Sequence, residues 1–333
     1  MMTRLHIRCL VPLLWALAAV GQQRNPSEQK QRVEEARLLQ ASSKIVASVP
    51  PFGSIGPAQC DSRGTLYFHA SSTLDASTIL ELSADGSKYK FYRLPPDLAE
   101  SNWFIQFRAT PSGDLRLLTE SEDGLRVIEF AKDGSVATKT RLDVPKHLKV
   151  TGFASFNSGA TLLLGYFGKA AEDRDKGHRY AAVFDPSGKL VKRLGRNLGT
   201  IDLGHEPYAT IAMAAVGEDD AVYFLVNDQL LVVSQSGQFL RRLPVRKVKD
   251  DFFPNAIQVS GGLIAIQYYK NVGQGKPFLS RYLVLNAYTG TETGFYLPEE
   301  ELGNSLVCFS AEEGFTFTRV IEGKEVLLKA QLK

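Results

Sequence analysis

Asp61-Ser62-Arg63-Gly64-Thr65-Leu66-Tyr67-Phe68 is a small-residue turn that runs straight into an aromatic strand. The same arrangement returns as Pro111-Ser112-Gly113 before Leu115-Arg116-Leu117-Leu118, and as Asn157-Ser158-Gly159 before Thr161-Leu162-Leu163-Leu164. Glu218-Asp219-Asp220 precedes Ala221-Val222-Tyr223-Phe224, Gly261-Gly262 precedes Leu263-Ile264-Ala265-Ile266, and Glu312-Glu313-Gly314 precedes Phe315-Thr316-Phe317. Glycine, Asp and Asn supply the backbone freedom of a tight turn, and β-branched and aromatic runs on either side pair across it as hairpins.

A second landmark follows the first in five of these units. Ile79-Leu80-Glu81-Leu82, Val127-Ile128-Glu129-Phe130, Ala181-Ala182-Val183-Phe184, Leu230-Leu231-Val232-Val233 and Leu283-Val284-Leu285 each end at a turn closed by glycine, at positions 86, 134, 188, 237 and 290. Those glycines are 48, 54, 49 and 53 residues apart. A further strand-like run follows each, such as Tyr89-Lys90-Phe91-Tyr92 or Phe239-Leu240-Arg241-Arg242. A period near fifty with four short strands per unit is the pattern of a β-propeller blade. One four-stranded sheet cannot bury both its faces, whereas a ring of neighbouring sheets does so. The expected fold is therefore all-β: a six-bladed β-propeller of four-stranded antiparallel blades. An ordinary β-sandwich has no reason to repeat one four-strand unit.

The chain ends predict how the ring closes. The sixth unit stops after Glu325-Val326-Leu327-Leu328-Lys329-Ala330 and lacks a fourth strand. A spare strand, Lys44-Ile45-Val46-Ala47-Ser48-Val49, stands before the first unit. Pairing the two completes the last blade and hides sheet edges that would otherwise invite aggregation. The first strand of each unit should line the crowded axis, as the small residues of Thr210-Ile211-Ala212-Met213-Ala214-Ala215 suit.

The first unit resembles the NHL repeat of many six-bladed propellers, through Gly56-Pro57, Asp61, Gly64, Leu66-Tyr67, Ile79, Leu82 and Ala84-Asp85-Gly86. The second unit keeps Gly113, Leu115 and Asp133-Gly134 but has Thr110 at the Asp position. The resemblance, of the NHL-repeat and TolB-like type, implies a fold and no particular activity.

Three segments are expected. Residues 1–21 read as a secretory signal peptide: Arg4 and Arg8 precede the apolar Cys9–Val20 run, which is too short to span a bilayer, and small residues follow it. Residues 22–43 are polar and read as a tether or as a loosely docked short helix over Gln29–Leu39 that Ser27 would cap. Residues 44–333 form the propeller. Loss of the two signal arginines takes the formal charge from +3 to +1, so no basic face for nucleic acid is expected. Only Cys60 and Cys308 remain beyond the signal, and Asn25-Pro26-Ser27 is excluded as a glycosylation sequon by its proline. Sparse cysteines and no sequon suit a bacterial periplasmic or secreted protein, without a membrane span after signal cleavage and expected as a monomer.

Propellers bind at one mouth of the channel, built by the loops that enter the inner strands and those joining strands two and three of a blade. The candidates there are Trp103 and Tyr208 as stacking faces, Arg108 as an anion partner, and His205, Asn255 and Asn304 as polar contacts. Asn102, Asp250 and Asp251 share these loops. Each of these residue types also serves as an ordinary turn or packing residue. Glu172, Asp173, Asp175 and His178 interleave with Lys and Arg and lack the oxygen spacing of a calcium loop. No nucleophile elbow, phosphate loop or CxxC pair is present. Cys60 and Cys308 lie in units that meet at ring closure; two separate buried thiols are the expected state, with a disulfide between them as the alternative. The function expected is a binding module for a protein, peptide or glycan, with no cofactor. The alternative is a lactonase-like metal-dependent hydrolase or lyase, for which calcium is the expected ion.

Overall fold

The computed structural model describes residues 36–49, 58–69, 78–101, 103–195, 198–200, 214–248, 252–273, 278–303 and 306–332. The segment expected to be a signal, 1–21, and most of the polar segment after it lie outside these residues. No described helix is long and apolar enough to cross a membrane.

Six sheets form the ring. Blade 1 runs through β3 (Gln59–Cys60), β4 (Leu66–His69), β5 (Thr78–Leu82) and β6 (Tyr89–Arg93). A short helix, α1 (Pro96–Ser101), leads to blade 2: β7 (Trp103–Ala109), β8 (Leu115–Ser121), β9 (Gly124–Phe130) and β10 (Val136–Arg141). Blade 3 holds β11 (Leu148–Ser155), β12 (Thr161–Phe167), β13 (Arg179–Phe184) and β14 (Leu190–Arg193). Blade 4 holds β15 (Ala214–Val216), β16 (Val222–Val226), β17 (Gln229–Val233) and β18 (Phe239–Pro244). Blade 5 holds β19 (Phe253–Ser260), β20 (Leu263–Lys270), β21 (Leu279–Asn286) and β22 (Glu292–Pro298). Blade 6 takes only β23 (Leu306–Ser310), β24 (Gly314–Ile321) and β25 (Lys324–Ala330) from the C-terminal end.

Its fourth, outermost strand is β2 (Ser43–Val46), antiparallel to β25 with Ser43 opposite Lys329 and Val46 opposite Val326. The predicted closure is therefore present. One expectation about the preceding segment is corrected. Arg37–Leu39, placed at the end of a helix by its charge spacing, is a strand (β1), parallel to β22 with Leu38 opposite Leu297. The reason is Leu39, which is buried between blades 5 and 6 beside Tyr296 and Leu302. A local helical preference of a few tenths of a kcal/mol per residue yields to burial of one leucine, which is worth about 2 kcal/mol.

The core lies between the blades. Six apolar clusters are found, one at each junction of neighbouring sheets, such as Leu118, Val127, Phe153, Leu163 and Ala182 between blades 2 and 3. Central strands are accordingly buried on both faces, as in β4, while β14 at the rim is exposed throughout. The outer turns are capped by their own side chains: Asp85, Asp133 and Asp185 each accept the N–H two residues on. Gly188 shows why glycine recurs there, since its φ is +84° and a Cβ would lie 1.9 Å from the Arg141 carbonyl.

Candidate functional site

The innermost strands β3, β7, β11, β15, β19 and β23 stand side by side around the axis, each touching the next and β23 touching β3. Each ends in a turn opened by an equivalent residue. Asp61, Thr110, Phe156 and Gly217 donate their N–H to the carbonyls of Thr65, Asp114, Ala160 and Ala221. Ser260 and Ser310 close the corresponding pairings in blades 5 and 6.

Two residues before these positions stand Gln59, Arg108, Ala154, Ala215, Gln258 and Cys308. This one register position joins blade to blade. Gln59 donates Nε2 to Phe107 O at 2.9 Å and accepts from Ala109 N at 3.0 Å. Arg108 donates Nε to Phe153 O at 2.6 Å, and Gln258 donates Nε2 to Val307 O at 3.4 Å. Phe107, Phe153 and Val307 are themselves equivalent, each three residues before its turn. At the junction of blades 6 and 1 the position is Cys308, joined to Cys60 as a disulfide with Cα atoms 5.3 Å apart. Ala154 and Ala215 carry no such group.

The turns beyond these strands are linked as well. Ser62 donates Oγ to Pro111 O, Ser112 donates Oγ to Asn157 Oδ1, and Asn157 N donates to Asp220 Oδ1. Gly261 N donates to Glu218 Oε1, and Ala311 N to Ser260 Oγ. Five of the six blade junctions thus carry a turn-to-turn bond among the described residues, and the rim at this end is cross-braced.

Inside that rim is a cavity of about 70 Å³, walled by all six blades through Gln59, Arg108, Ser155, Ala215, Gln258 and Phe309 among others. It is far too small for a drug-sized ligand, which needs roughly 300 Å³ or more, but it is several times the room that one water needs.

Arg108 is the unusual group on its wall. The residue is 6% exposed. Nη1 donates to the carbonyl of its own neighbour Phe107 at 3.0 Å, while Nη2 has no hydrogen-bond partner. No carboxylate is bonded to it among the described residues, and burial brings its pKa down to about 9. The Phe153 ring, 5.5 Å from the guanidinium carbon, supplies only a partial cation–π compensation. Arg116, equally buried, makes the contrast: it donates to Ser155 Oγ, to Phe156 O and to Glu129. Gln258 Oε1, on the opposite side of the ring in blade 5, is a second buried atom without a partner.

Of the described ligand-binding candidates read from the sequence, Arg108 alone lines the cavity, with Cys60 of the candidate disulfide beside it on the wall. Arg108 stands five residues along β7 from Trp103, about 16 Å away at the usual strand rise, and so far from the entering loop where its sequence neighbourhood put it. Trp103 opens β7 opposite Glu120. Asn255 sits near the start of β19 in a bulge between Pro254 and Ala256, exposed, and donates Nδ2 to Gln267 at 3.3 Å. His205, Tyr208 and Asn304, with Asn102, Asp250 and Asp251, lie outside the described residues. The acidic stretch around Glu172 is a solvated charged loop, with Arg174 beside Glu172 at 2.9 Å and Lys176 beside Asp173 at 3.9 Å. Among the described residues no three His, Cys, Asp or Glu side chains converge as a metal site. Sequence reasoning does not single out the clamps Gln59 and Gln258, because turns of different length hide their shared position.

With this geometry in hand, the relatives can be placed. No protein-family model and no curated protein match the sequence. Solved structures do match in fold. A member of the DUF4221 family from Bacteroides vulgatus superposes with a TM-score of 0.63 at 11% identity, over 89% of this chain and 98% of that one. The chain is a six-bladed β-propeller. A calcium-binding regucalcin from Agrobacterium tumefaciens gives a TM-score of 0.50 at 14% identity, over 90% of this chain and 97% of that one. A putative TolB from the same organism gives 0.48 at 13% identity, over 84% and 91%. At these identities the likeness is one of fold.

Proposed function

We propose that this propeller is an exported bacterial binding module that takes its ligand at the central channel and works as a monomer in the periplasm or outside the cell. The observation that carries the reading is the channel wall itself. It offers hydrogen-bonding capacity that the protein leaves unused, at Arg108 Nη2 and Gln258 Oε1. Buried polar atoms are normally satisfied, and those that are not call for a ligand, a water or an ion. The wall's acids are already engaged: Asp61 accepts from Arg63 and from the Arg63 and Thr65 N–H groups, and Glu218 accepts from Gly261. A wall whose polar groups include amides and one guanidinium, set among alanines, suits recognition of a polar ligand better than Lewis-acid hydrolysis. A protein, peptide or glycan that presents a polar end to the channel fits this description. A basic face for nucleic acid is not part of the reading.

The test has two arms on the full chain expressed in a bacterial host. Cell fractionation with mass spectrometry of the N-terminus should find a processed chain in the envelope or medium; an intact Met1 in the cytosol would overturn export. Elemental analysis of the chain purified without chelator should find no stoichiometric metal. Stoichiometric calcium, zinc or iron would replace the binding reading with the lactonase-like one, to be followed with lactone and ester substrates.

A further inference from the structure

Arg108 and Gln258 occupy the same register position on β7 and β19. Blades 2 and 5 are three places apart in a ring of six. The two side chains therefore stand at one height on opposite walls of the channel, and both line the same cavity. Each is anchored to the next blade through one atom and keeps one buried atom unpaired. The two unpaired atoms are complementary in kind. One is a guanidinium N–H in need of an anion, since a buried cation without a counter-charge is disfavoured. The other is an amide oxygen in need of a donor. Between them the wall is made of small side chains, Ala58, Ala109, Ala214, Ala215 and Ala256.

We infer that the channel binds a small carboxylate that carries its own hydrogen-bond donor, a 2-hydroxy- or 2-amino-carboxylate, with its anion on Arg108 and its donor on Gln258 Oε1. The inference rests on the binding reading above and assigns that site a ligand class. With Nε and Nη1 donating to backbone carbonyls, Nη2 is held in place to donate to a carboxylate oxygen in a charge-assisted bond. A simple anion would satisfy Arg108 and leave Gln258 unpaired. A neutral polyol would do the reverse. The cavity's volume admits a group of a few heavy atoms and excludes a longer body, so a larger ligand would present this group as its tip. The lowered Arg108 pKa agrees, because burial disfavours the cation and a bound anion would raise it again.

The test uses the purified chain with four probes, L-lactate, glycine, acetate and inorganic phosphate, each followed by calorimetry and thermal melting. Probe concentrations reach about 50 mM, where a millimolar Kd is near saturation. Lactate or glycine should bind at least about ten-fold more tightly than acetate and raise the melting temperature. Gln258→Leu should erase that preference, lowering lactate to acetate's affinity and leaving acetate unchanged. Arg108→Met should remove binding of all the carboxylates. Because Arg108 also ties blade 2 to blade 3, Arg108→Lys is made alongside it, keeping the charge but not the fork, and should weaken lactate by about ten-fold. Equal affinity for lactate and acetate, or a preference for phosphate, would overturn the ligand class. Unchanged lactate binding in Gln258→Leu and Arg108→Lys would place the ligand elsewhere, overturning this site while leaving the binding reading standing. Silence of the wild type toward all four probes would also overturn the inference, and export and metal content would still decide the broader reading independently.

Discussion

The junction of blades 6 and 1 and the junction of blades 4 and 5 pack with the same kind of core but are secured differently. Between blades 4 and 5, Leu230, Val232, Ile264 and Ile266 pack together, the clamp position is Ala215, and one turn-to-turn bond from Gly261 to Glu218 braces the exposed rim. Between blades 6 and 1, Leu66, Phe68, Leu80 and Leu327 pack, and the clamp position is one half of the Cys60–Cys308 disulfide. Strand β2 adds to this closure, with Ala47 N on Glu325 O and Ser48 N bonded across to Gly86 O of blade 1. Chain connectivity explains the difference. Blades 4 and 5 follow one another in sequence, so bringing them together closes a short loop. Blades 6 and 1 are brought together across 248 residues, and the loop-closure entropy is greatest there. Reinforcement is concentrated where the chain itself supplies none.

The comparison can be broken most severely by deleting Arg37–Val46. That removes β1 and β2, bares the outer edges of blades 5 and 6, and should abolish cooperative melting and drive aggregation in gel filtration. A deletion variant that melts cooperatively within a few degrees of the parent would show that closure by the N-terminal strand is dispensable. Opening the disulfide comes next. Cys60→Ser with Cys308→Ser should reduce stability by about 2–5 kcal/mol in denaturant titration, and reducing agent should lower the parent to the same level. If reduction leaves the parent unchanged, the covalent clasp is not what secures the closure.

Smaller substitutions sharpen the same contrast. Gln59→Ala leaves the Ala109 N–H without its partner and takes one of the two donors from the Phe107 carbonyl, which keeps Arg108 Nη1, and should cost about 1–3 kcal/mol. Glu218→Ala removes one exposed rim bond at the unclamped junction, where water replaces it, and should cost less than about 1 kcal/mol. Equal effects would mean that the inner clamp and the outer rim are equivalent. The smallest effect concerns the capped outer turns. Asp85 accepts from Ser83 Oγ, Ser87 N and Ser87 Oγ, and these bonds hold its pKa at about 2 against an ordinary 3.8. A folded-state pKa below the unfolded one gives a contribution that is complete above pH 3.8 and lost as the pH falls toward 2. Carboxyl NMR titration should place its midpoint near 2, and Ser83→Ala should move it upward.

Much of the architecture was legible because it is written in local chemistry. A glycine that must take positive φ, an aspartate that caps its own turn and a run of β-branched residues each act within a few positions, and their recurrence every fifty residues is visible without coordinates. The missing fourth strand of the last unit and the spare strand before the first were legible for the same reason. The candidate site was less so. Arg108 is recognisable as an anion partner from its residue type, but the loop that enters β7 lies at the other end of that strand, about 16 Å from it. Asn255 falls in a bulge that no two-residue alternation in the sequence shows.

The sequence by itself determined the blade, the number of blades and the manner of closure, since all three follow from repetition and from what the two chain ends lack. Only the tertiary structure decided which residues are equivalent around the axis. The turns differ in length: Ser260 and Leu263 flank two residues, whereas Asp61 and Thr65 flank three. Counting from the turn glycines therefore misaligns the inner strands and hides that Gln59, Arg108, Gln258 and Cys308 share one position. Hydrogen-bond register between strands far apart in sequence sets that equivalence, and with it the pairing of Cys308 with Cys60 and the placing of Arg108 opposite Gln258. No local pattern carries this information, because it arises only when six separately folded sheets are brought to a common axis.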